Sequence, residues 1–182
     1  MKKYFLLFAV CVLPLRISSQ GFIVFGNRVS ADGLDAPVLD TDCVSRLAGP
    51  TYLAQAYVGF APDILTPLGS LTPFRTGEYA GYIASRNLEI PGTGIDDLVY
   101  VQIRAWEANA GSTYEEAVSG GARHGFSNIV PVWTQLPPGP GNSLVGLQSF
   151  CLVPEPSSGA LALLAAVSFG VGLWRRRMFS IR

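Results

Sequence analysis

Residues able to do catalytic chemistry are few and scattered along the chain. His124 is the only histidine, so a zinc or copper site made of several histidines is excluded, and a Ser-His-Asp triad would depend on this one residue. The adjacent carboxylates Asp96 and Asp97, like Glu115 and Glu116, could act as acid and base on a glycosidic bond. Neighbouring side chains on a strand or helix point apart, so we interpret both pairs as turn and helix-start charges. The sequence therefore predicts no catalytic residues.

Ligand binding is a second kind of chemistry that these side chains could support. Asp35, Asp40 and Asp42 crowd one segment, and calcium takes several oxygen ligands from such loops. Their spacing does not match an EF-hand, so we interpret them as turn residues and predict neither a metal site nor a cofactor. Three aromatic residues on predicted strands could form a sugar-stacking platform, although aromatic strand residues more often fill a core: Tyr100, Trp106 and Trp133.

The N-terminal segment predicts export. Lys2 and Lys3 give a basic start, residues 4–13 are apolar and residues 14–20 close the segment with polar character, which is the order of a secretory signal peptide. The apolar part is too short to span a membrane. We predict a signal peptide over residues 1–19 that is cleaved between Ser19 and Gln20, with a retained N-terminal anchor as the alternative.

Export would leave two cysteines outside the cytoplasm, Cys43 and Cys151, because Cys11 departs with the signal peptide. An oxidising compartment and an even count favour one disulfide between them. Two free or buried thiols remain the alternative, since spacing alone does not decide geometry.

The charge of the exported part argues against one class of partner. Residues 20–153 contain six arginines, no lysine and twelve carboxylates, which gives a formal net charge of −6. Nucleic acids are bound through basic patches that neutralise phosphates. We therefore predict no nucleic-acid partner.

Short strands separated by turn residues dominate the middle of the chain, where Gly, Pro, Asn and Asp punctuate segments rich in β-branched and aromatic residues. The clearest strand covers residues 98–107, because Val99, Val101, Ile103 and Ala105 alternate with more polar positions and form one apolar face. The other predicted strands cover residues 22–27, 52–60, 74–76, 88–90, 129–133 and 144–152.

A single helix interrupts the strands. Ser112 could cap its start with Glu115 in a capping box, and Gly120 and Gly121 would end it. About seven short strands with one short helix predict a mainly β domain, a single β-sandwich over residues 20–152, with a small open barrel as the alternative.

The C-terminal segment predicts membrane anchoring. Residues 159–174 are apolar and uncharged, close to the lower length limit for a membrane helix. Arg175, Arg176 and Arg177 follow, and positive residues stay on the cytoplasmic side, so residues 175–182 form a basic cytoplasmic tail and the domain faces outward. Residues 153–158 form an extended neck, because Glu155 is bracketed by prolines.

The order of these features resembles the PEP-CTERM sorting tail of Gram-negative bacteria. The resemblance covers roughly the last thirty residues: the tripeptide Pro154-Glu155-Pro156, an apolar helix and an arginine cluster. It implies recognition by exosortase, a membrane-embedded cysteine transpeptidase, and processing near the tripeptide. The implied sorting motif comprises Val153, Pro154, Glu155, Pro156 and Ser157.

Two functions follow as expectations. The favoured one is an exported protein, anchored in the inner membrane and then released to the cell surface or extracellular matrix, that acts by binding or structure. Its partners would be exosortase, the membrane and an exopolysaccharide or another envelope component. The alternative is a secreted carbohydrate-active hydrolase that uses loop carboxylates.

Overall fold

The computed structural model describes residues 20–154, so the predicted signal peptide and all residues from Glu155 onward, including the predicted membrane helix and arginine triplet, lie outside the described residues. The described chain contains one α-helix, α1 (Tyr114–Ser119), and eleven strands. No helix between residues 20 and 154 is long and apolar enough to cross a membrane. The strands are β1 (Gly21–Phe25), β2 (Arg28–Val29), β3 (Leu34–Asp35), β4 (Val38–Leu39), β5 (Tyr52–Ala61), β6 (Ile64–Pro73), β7 (Arg86–Ile90), β8 (Leu98–Glu107), β9 (His124–Phe126), β10 (Val130–Trp133) and β11 (Phe150–Cys151).

The largest sheet has five antiparallel strands in the order β10-β8-β5-β6, with β9 also paired to β8. β10 pairs with the first half of β8 and β9 with the second half. The predicted strand 98–107 is confirmed with its bounds. The apolar face of this strand packs into the core, and its four side chains are only 0–1% exposed: Val99, Val101, Ile103 and Ala105.

A second layer covers this face. β1 and β7 pair antiparallel, and the short pairs β2–β3 and β4–β11 lie beside them along the chain. Their apolar side chains join β8 in one core cluster, which includes Ile23, Phe25, Leu34, Val38, Leu88 and Ile90. The mainly β prediction is confirmed. The second layer consists of two-stranded sheets instead of one full sheet, and the strands of residues 20–154 form no closed barrel.

Strand β6 was not predicted, and the predicted strand at residues 74–76 is wrong. β6 lies at the edge of the main sheet and is mostly exposed, so it lacks the alternating pattern of a half-buried strand. Pro67 and Pro73 also argue against a strand at the level of sequence, because proline within sheets is found mainly on edge strands. Phe74, which suggested a strand, forms only an isolated bridge to Ile83.

The predicted strand at residues 144–152 shrinks to β11. Leu144 and Leu147 are buried, at 0% and 8% exposure, but they lie in turns before β11. Their burial produces an apolar pattern like that of a strand, although the backbone between them does not pair. The strand predicted over residues 144–152 is therefore wrong except at Phe150 and Cys151.

Helix α1 begins one residue later than predicted. Its N-cap is Thr113, whose hydroxyl accepts a hydrogen bond from the Glu116 backbone, so Ser112 and Glu115 are not the capping box. Glu116 instead reaches back to the Ser112 amide, with a donor–acceptor distance of 2.7 Å. Gly121 ends the turn in the left-handed region, with φ of 75°, where glycine carries no steric penalty.

The helix covers part of the outer face of the main sheet. A second apolar cluster forms under it from the residues Tyr57, Trp106, Tyr114, Ala117 and Ala122. The face of β8 opposite the core is therefore also buried at its second half, which explains why Trp106 has 0% exposure.

A disulfide links Cys43 to Cys151, with the Cα atoms 5.2 Å apart and 108 residues between them in sequence. It joins the turn after β4 to β11, which already run in parallel register. Of the two interpretations that the sequence left open, the structure contains the disulfide.

Candidate binding site

Trp133 ends β10 with 53% of its surface exposed. A groove of about 550 Å³ opens beside it, between β10, the turn that joins β2 to β3, and residues 140–145. We call this space the Trp133 groove. It is lined by Asp32, Pro131, Val132, Trp133, Pro140, Gly141, Asn142, Ser143 and Val145.

The loop wall of the groove is held against β1. The Val24 amide donates to the Asn142 carbonyl at 2.9 Å, and Val24 forms a parallel bridge with Ser143. Gly141 approaches the core so closely that a Cβ atom there would lie 2.6 Å from the Phe22 ring. Because backbone pairing and this close approach fix the loop, the fold itself sets the shape of the wall.

Polar side chains line the Trp133 groove. The Asn142 amide donates to the Trp133 carbonyl at 2.8 Å, and the Ser143 hydroxyl donates to Oδ2 of Asp32. Within residues 20–154, the other side-chain oxygen of Asp32 and that of Asn142 accept no hydrogen bond from the protein. An exposed aromatic surface beside such acceptors suits a sugar, whose apolar face packs on the ring while its hydroxyls donate.

The predicted aromatic platform is only partly formed. Trp106 is fully buried beneath α1, and its indole N–H donates to the Gly111 carbonyl at 3.2 Å, so it is not available to a ligand. Tyr100 is half-buried opposite Pro131 in the register of β8 and β10. Of the three predicted residues, Trp133 alone presents a largely exposed ring.

The two helix carboxylates point to different partners. Glu115 accepts hydrogen bonds from the Tyr57 hydroxyl at 2.9 Å and from Arg104 at 3.2 Å. Burial, and then the hydrogen bond to Glu115, raise the pKa of Tyr57. Glu116 accepts from Ser112, and these hydrogen bonds lower the pKa of Glu116. The pair does not converge on one point, as a glycosidase pair must.

The second carboxylate pair is divided in the same way. Asp97 accepts a hydrogen bond from the Gly94 amide at 2.6 Å. Asp96 has a positive φ of 56° and accepts a long hydrogen bond from Gln135. Both residues stabilise the turn before β8.

His124, the one residue on which a Ser-His-Asp triad would depend, lies in a strand and is partly buried. It opens β9, where it pairs with Trp106, and its backbone bridges to Val153. Nδ1 of the imidazole lies 2.7 Å from the Ala122 carbonyl oxygen, and the ring packs edge-on against Tyr114 at 5.7 Å. The hydrogen bond and the packing give this histidine a structural role.

The three aspartates that could suggest calcium do not come together. Asp40 pairs with Arg123 at 3.3 Å, and Asp35 accepts from a tyrosine hydroxyl. Asp42 accepts from the Ser45 hydroxyl and from nearby amides, and these hydrogen bonds lower its pKa. Across residues 20–154, no group of three or more His, Cys, Asp or Glu residues is placed to hold a metal ion.

The sequence did not single out the polar residues of the Trp133 groove. Asp32 lies in a 3-10 turn, Ser30–Asp32, more than a hundred positions from Asn142 and Ser143 along the chain. No local pattern predicts that these segments meet. The one available signal was the dense Pro-Gly region before Asn142, which marks a loop and therefore a place where binding residues concentrate.

The folded chain ends where the predicted sorting motif begins. The Leu152 amide donates to the Leu39 carbonyl at 3.1 Å, and the Val153 amide donates to the His124 carbonyl at 2.6 Å. Leu152 is buried and Val153 is exposed. Pro154 has no amide hydrogen to continue this pairing, so the motif leaves the domain directly from its last paired residue.

Comparison with known proteins identifies this C-terminal segment. The family model of the PEP-CTERM protein-sorting motif matches residues 152–177, which confirms the resemblance drawn from the tripeptide, the apolar run and the arginines. The motif implies export, processing by exosortase and association with the membrane. No curated protein and no solved structure matches the chain.

Proposed function

We propose that this chain is an exported surface protein, released by exosortase, whose domain acts without catalysis by binding a polysaccharide of the cell envelope or matrix. The match to the sorting motif at residues 152–177 carries the delivery part of the proposal. Residues 1–19 act as the signal peptide, and residues 159–174 hold the chain in the inner membrane until processing. The released domain then works at the cell surface or in the extracellular matrix.

The Trp133 groove supports binding as the activity of the domain. It combines an exposed indole with carboxylate and amide acceptors that the fold positions, and such convergence of an apolar wall with a few placed polar groups is typical of small-ligand sites. The divided carboxylate pairs, by contrast, lend no support to the hydrolase alternative.

Substitution of Trp133 tests the proposal. The exported chain, solubilised in detergent, is titrated with polysaccharide fractions from the envelope of the producing cells. Stacking on an aromatic side chain contributes about 1–3 kcal/mol in nucleic acids, so Trp133→Ala should weaken polysaccharide binding by roughly tenfold or more.

Phe126→Ala is the matched control, because Phe126 is also an exposed aromatic residue, at 57%, and lies on the outer face away from the groove. It should bind the same fractions as the wild type does. Loss of binding by Phe126→Ala and not by Trp133→Ala would move the site to the pocket that Phe126 lines with Arg104 and Tyr114. Absence of polysaccharide binding by the wild type would overturn the proposed function.

A further inference from the structure

Three exposed arginines gather on two tyrosine rings. The guanidinium of Arg75 lies 4.0 Å from the ring centroid of Tyr79, and that of Arg28 lies 5.5 Å from Tyr79 and 4.9 Å from Tyr82. The guanidinium of Arg46 lies 5.2 Å from the ring centroid of Tyr82. The order Arg75, Tyr79, Arg28, Tyr82, Arg46 forms what we call the arginine–tyrosine ladder.

The donors of the ladder have no acceptors in the described part of the chain. Within residues 20–154, the guanidiniums of Arg28, Arg46 and Arg75 take part in no ion pair and donate no hydrogen bond. A guanidinium that stacks on a ring keeps its N–H groups at its edge, where a carboxylate can accept two of them at once. The other arginines of the domain already donate to protein oxygens: Arg86, Arg104 and Arg123.

The buried side chain of Asn27 connects the segments that carry Arg28 and the two tyrosines. Asn27 has 0% exposure, and its amide donates to the carbonyls of Ala36 and Gly81 at 2.9 and 2.8 Å. Its side-chain oxygen accepts from the Ile83 amide at 2.9 Å. Asn27 thereby fixes the β2–β3 hairpin, which carries Arg28, to the segment that carries both tyrosines. Arg28 and the two tyrosine rings are thus held in place relative to each other by a buried side chain.

Acceptors lie among these donors. Asp35 faces Arg28 in the β2–β3 register and accepts a hydrogen bond from the Tyr82 hydroxyl at 2.5 Å. Glu78 lies in the 3-10 turn Gly77–Tyr79. These carboxylates can accept hydrogen bonds from the hydroxyls of a sugar. The guanidiniums of the ladder can donate to carboxylates, and the neighbouring Asp35 and Glu78 can accept from hydroxyls. An acidic polysaccharide built from uronic acids offers both groups.

The ladder also lies within reach of the Trp133 groove. Arg28 and Asp32 belong to the same hairpin and are four residues apart, so their Cα atoms are at most about 14 Å apart even if that segment is fully extended. We infer that the arginine–tyrosine ladder binds the carboxylates of an acidic polysaccharide whose chain continues into the Trp133 groove. This inference rests on the proposed polysaccharide-binding function and names the class of polysaccharide.

The test uses polygalacturonate and its fully methyl-esterified form, which share one sugar backbone and differ in carboxylate charge. Affinity of the detergent-solubilised full chain is measured for both at low and high salt. Arg28 is the central residue, so Arg28→Gln should weaken binding to polygalacturonate about tenfold, as for the loss of one charge-assisted contact. Methyl esterification and high salt should each weaken wild-type binding as well.

Arg86→Gln is the matched control, because it removes the same charge from a residue outside the ladder, and it should bind like the wild type. Arg46→Gln, at one end of the ladder, gives a second reading if Arg28→Gln fails to fold by circular dichroism. Equal affinity for both forms of the polymer, or unchanged binding by both ladder variants, would overturn the inference. So would binding to phosphatidylglycerol vesicles without binding to polygalacturonate.

The two proposals fail in different ways. If the polysaccharide function is right and the ladder is not, the wild type binds the esterified polymer as well as the acidic one, and Trp133→Ala reduces both. If the polysaccharide function is wrong, the wild type binds neither these polymers nor the polysaccharide fractions of the envelope.

Discussion

Arg123 balances two carboxylates at the end of the domain from which the tail leaves. One of its nitrogens lies 2.9 Å from Glu107 and another lies 3.3 Å from Asp40, while the guanidinium lies 5.2 Å from the Tyr52 ring. The hydrogen bond to Glu107 raises the pKa of Arg123, so this arginine stays charged. Glu107 has only 9% exposure, and its burial therefore depends on a single cation.

We expect Arg123→Met to lower the free energy of unfolding by about 3 kcal/mol, because it leaves the Glu107 carboxylate buried without its partner. Denaturant titration followed by circular dichroism measures the change. Glu115→Gln provides the comparison: its pair with Arg104 is largely exposed, with 59% of the Glu115 side chain accessible, and should cost less than about 1 kcal/mol. Equal losses in the two variants would show that burial does not govern these pairs.

Among the elements, α1 is the one whose start is set by the capping residue at its N-terminus. It has only six residues, too few to be stable alone. It is held by its cap, by Tyr114 and Ala117 against the outer face of the sheet, and by Glu115 on Tyr57. The shift of the cap from Ser112 to Thr113 turns Glu115 toward the sheet and leaves Glu116 for the backbone.

Thr113→Ala should therefore lower the free energy of unfolding by about 1 kcal/mol, the usual effect of losing an N-cap side chain. Ser112→Ala removes only an exposed side-chain hydrogen bond to Glu116 and should change it less. Thermal or denaturant unfolding of the two variants in parallel gives the comparison. A larger loss of stability in Ser112→Ala than in Thr113→Ala would show that Ser112 is the N-cap, as the sequence predicts.

Local patterns predicted the strand whose apolar residues alternate with more polar ones. β8 was predicted with its bounds and its core-facing side, although its other face is also buried under α1. β6 was missed, since an exposed edge strand has no such alternation. The strand predicted through Leu144 was wrong for the opposite reason: buried turns give apolar periodicity without backbone pairing.

The candidate site was predicted only in part, because its partners are distant in sequence. Trp133 was singled out by its type and its strand. Whether it or Trp106 would be exposed depends on α1, which covers one end of the outer face and not the other. Asp32, Asn142 and the arginine–tyrosine ladder come together only through the tertiary fold, so no spacing in the sequence predicts them.

For the whole molecule, the sorting motif begins at the last paired residues of the folded domain. The last backbone hydrogen bond of the domain is donated by Val153, and the matched sorting motif already begins at residue 152. Exosortase must therefore act close to folded structure. The processed product should be the entire domain with at most a few residues of the neck.

Replacing Pro154, Glu155 and Pro156 with alanine should abolish the shift to a shorter mature form while leaving membrane insertion unchanged, because the apolar run at residues 159–174 is untouched. Mass spectrometry of the chain from a strain that has exosortase gives both ends of the product, and its start should be Gln20. Ser158→Ala, in the same neck but outside the tripeptide, should be processed normally. Normal maturation of the triple-alanine variant would show that the tripeptide is only a linker.

The disulfide between Cys43 and Cys151 determines how the domain responds to mechanical load. If the domain is pulled between its N-terminal strand and its C-terminal tail, the force from the tail reaches Cys151 after a few residues. It then passes through the disulfide to Cys43. The 108 residues between the cysteines would otherwise add roughly 380 Å of extension when stretched, and the crosslink withholds all of it. A surface protein pulled in this way can then lengthen through the residues before Cys43, which include Arg28 and Asp32, but not through the crosslinked loop that contains Trp133, Arg46 and Arg75.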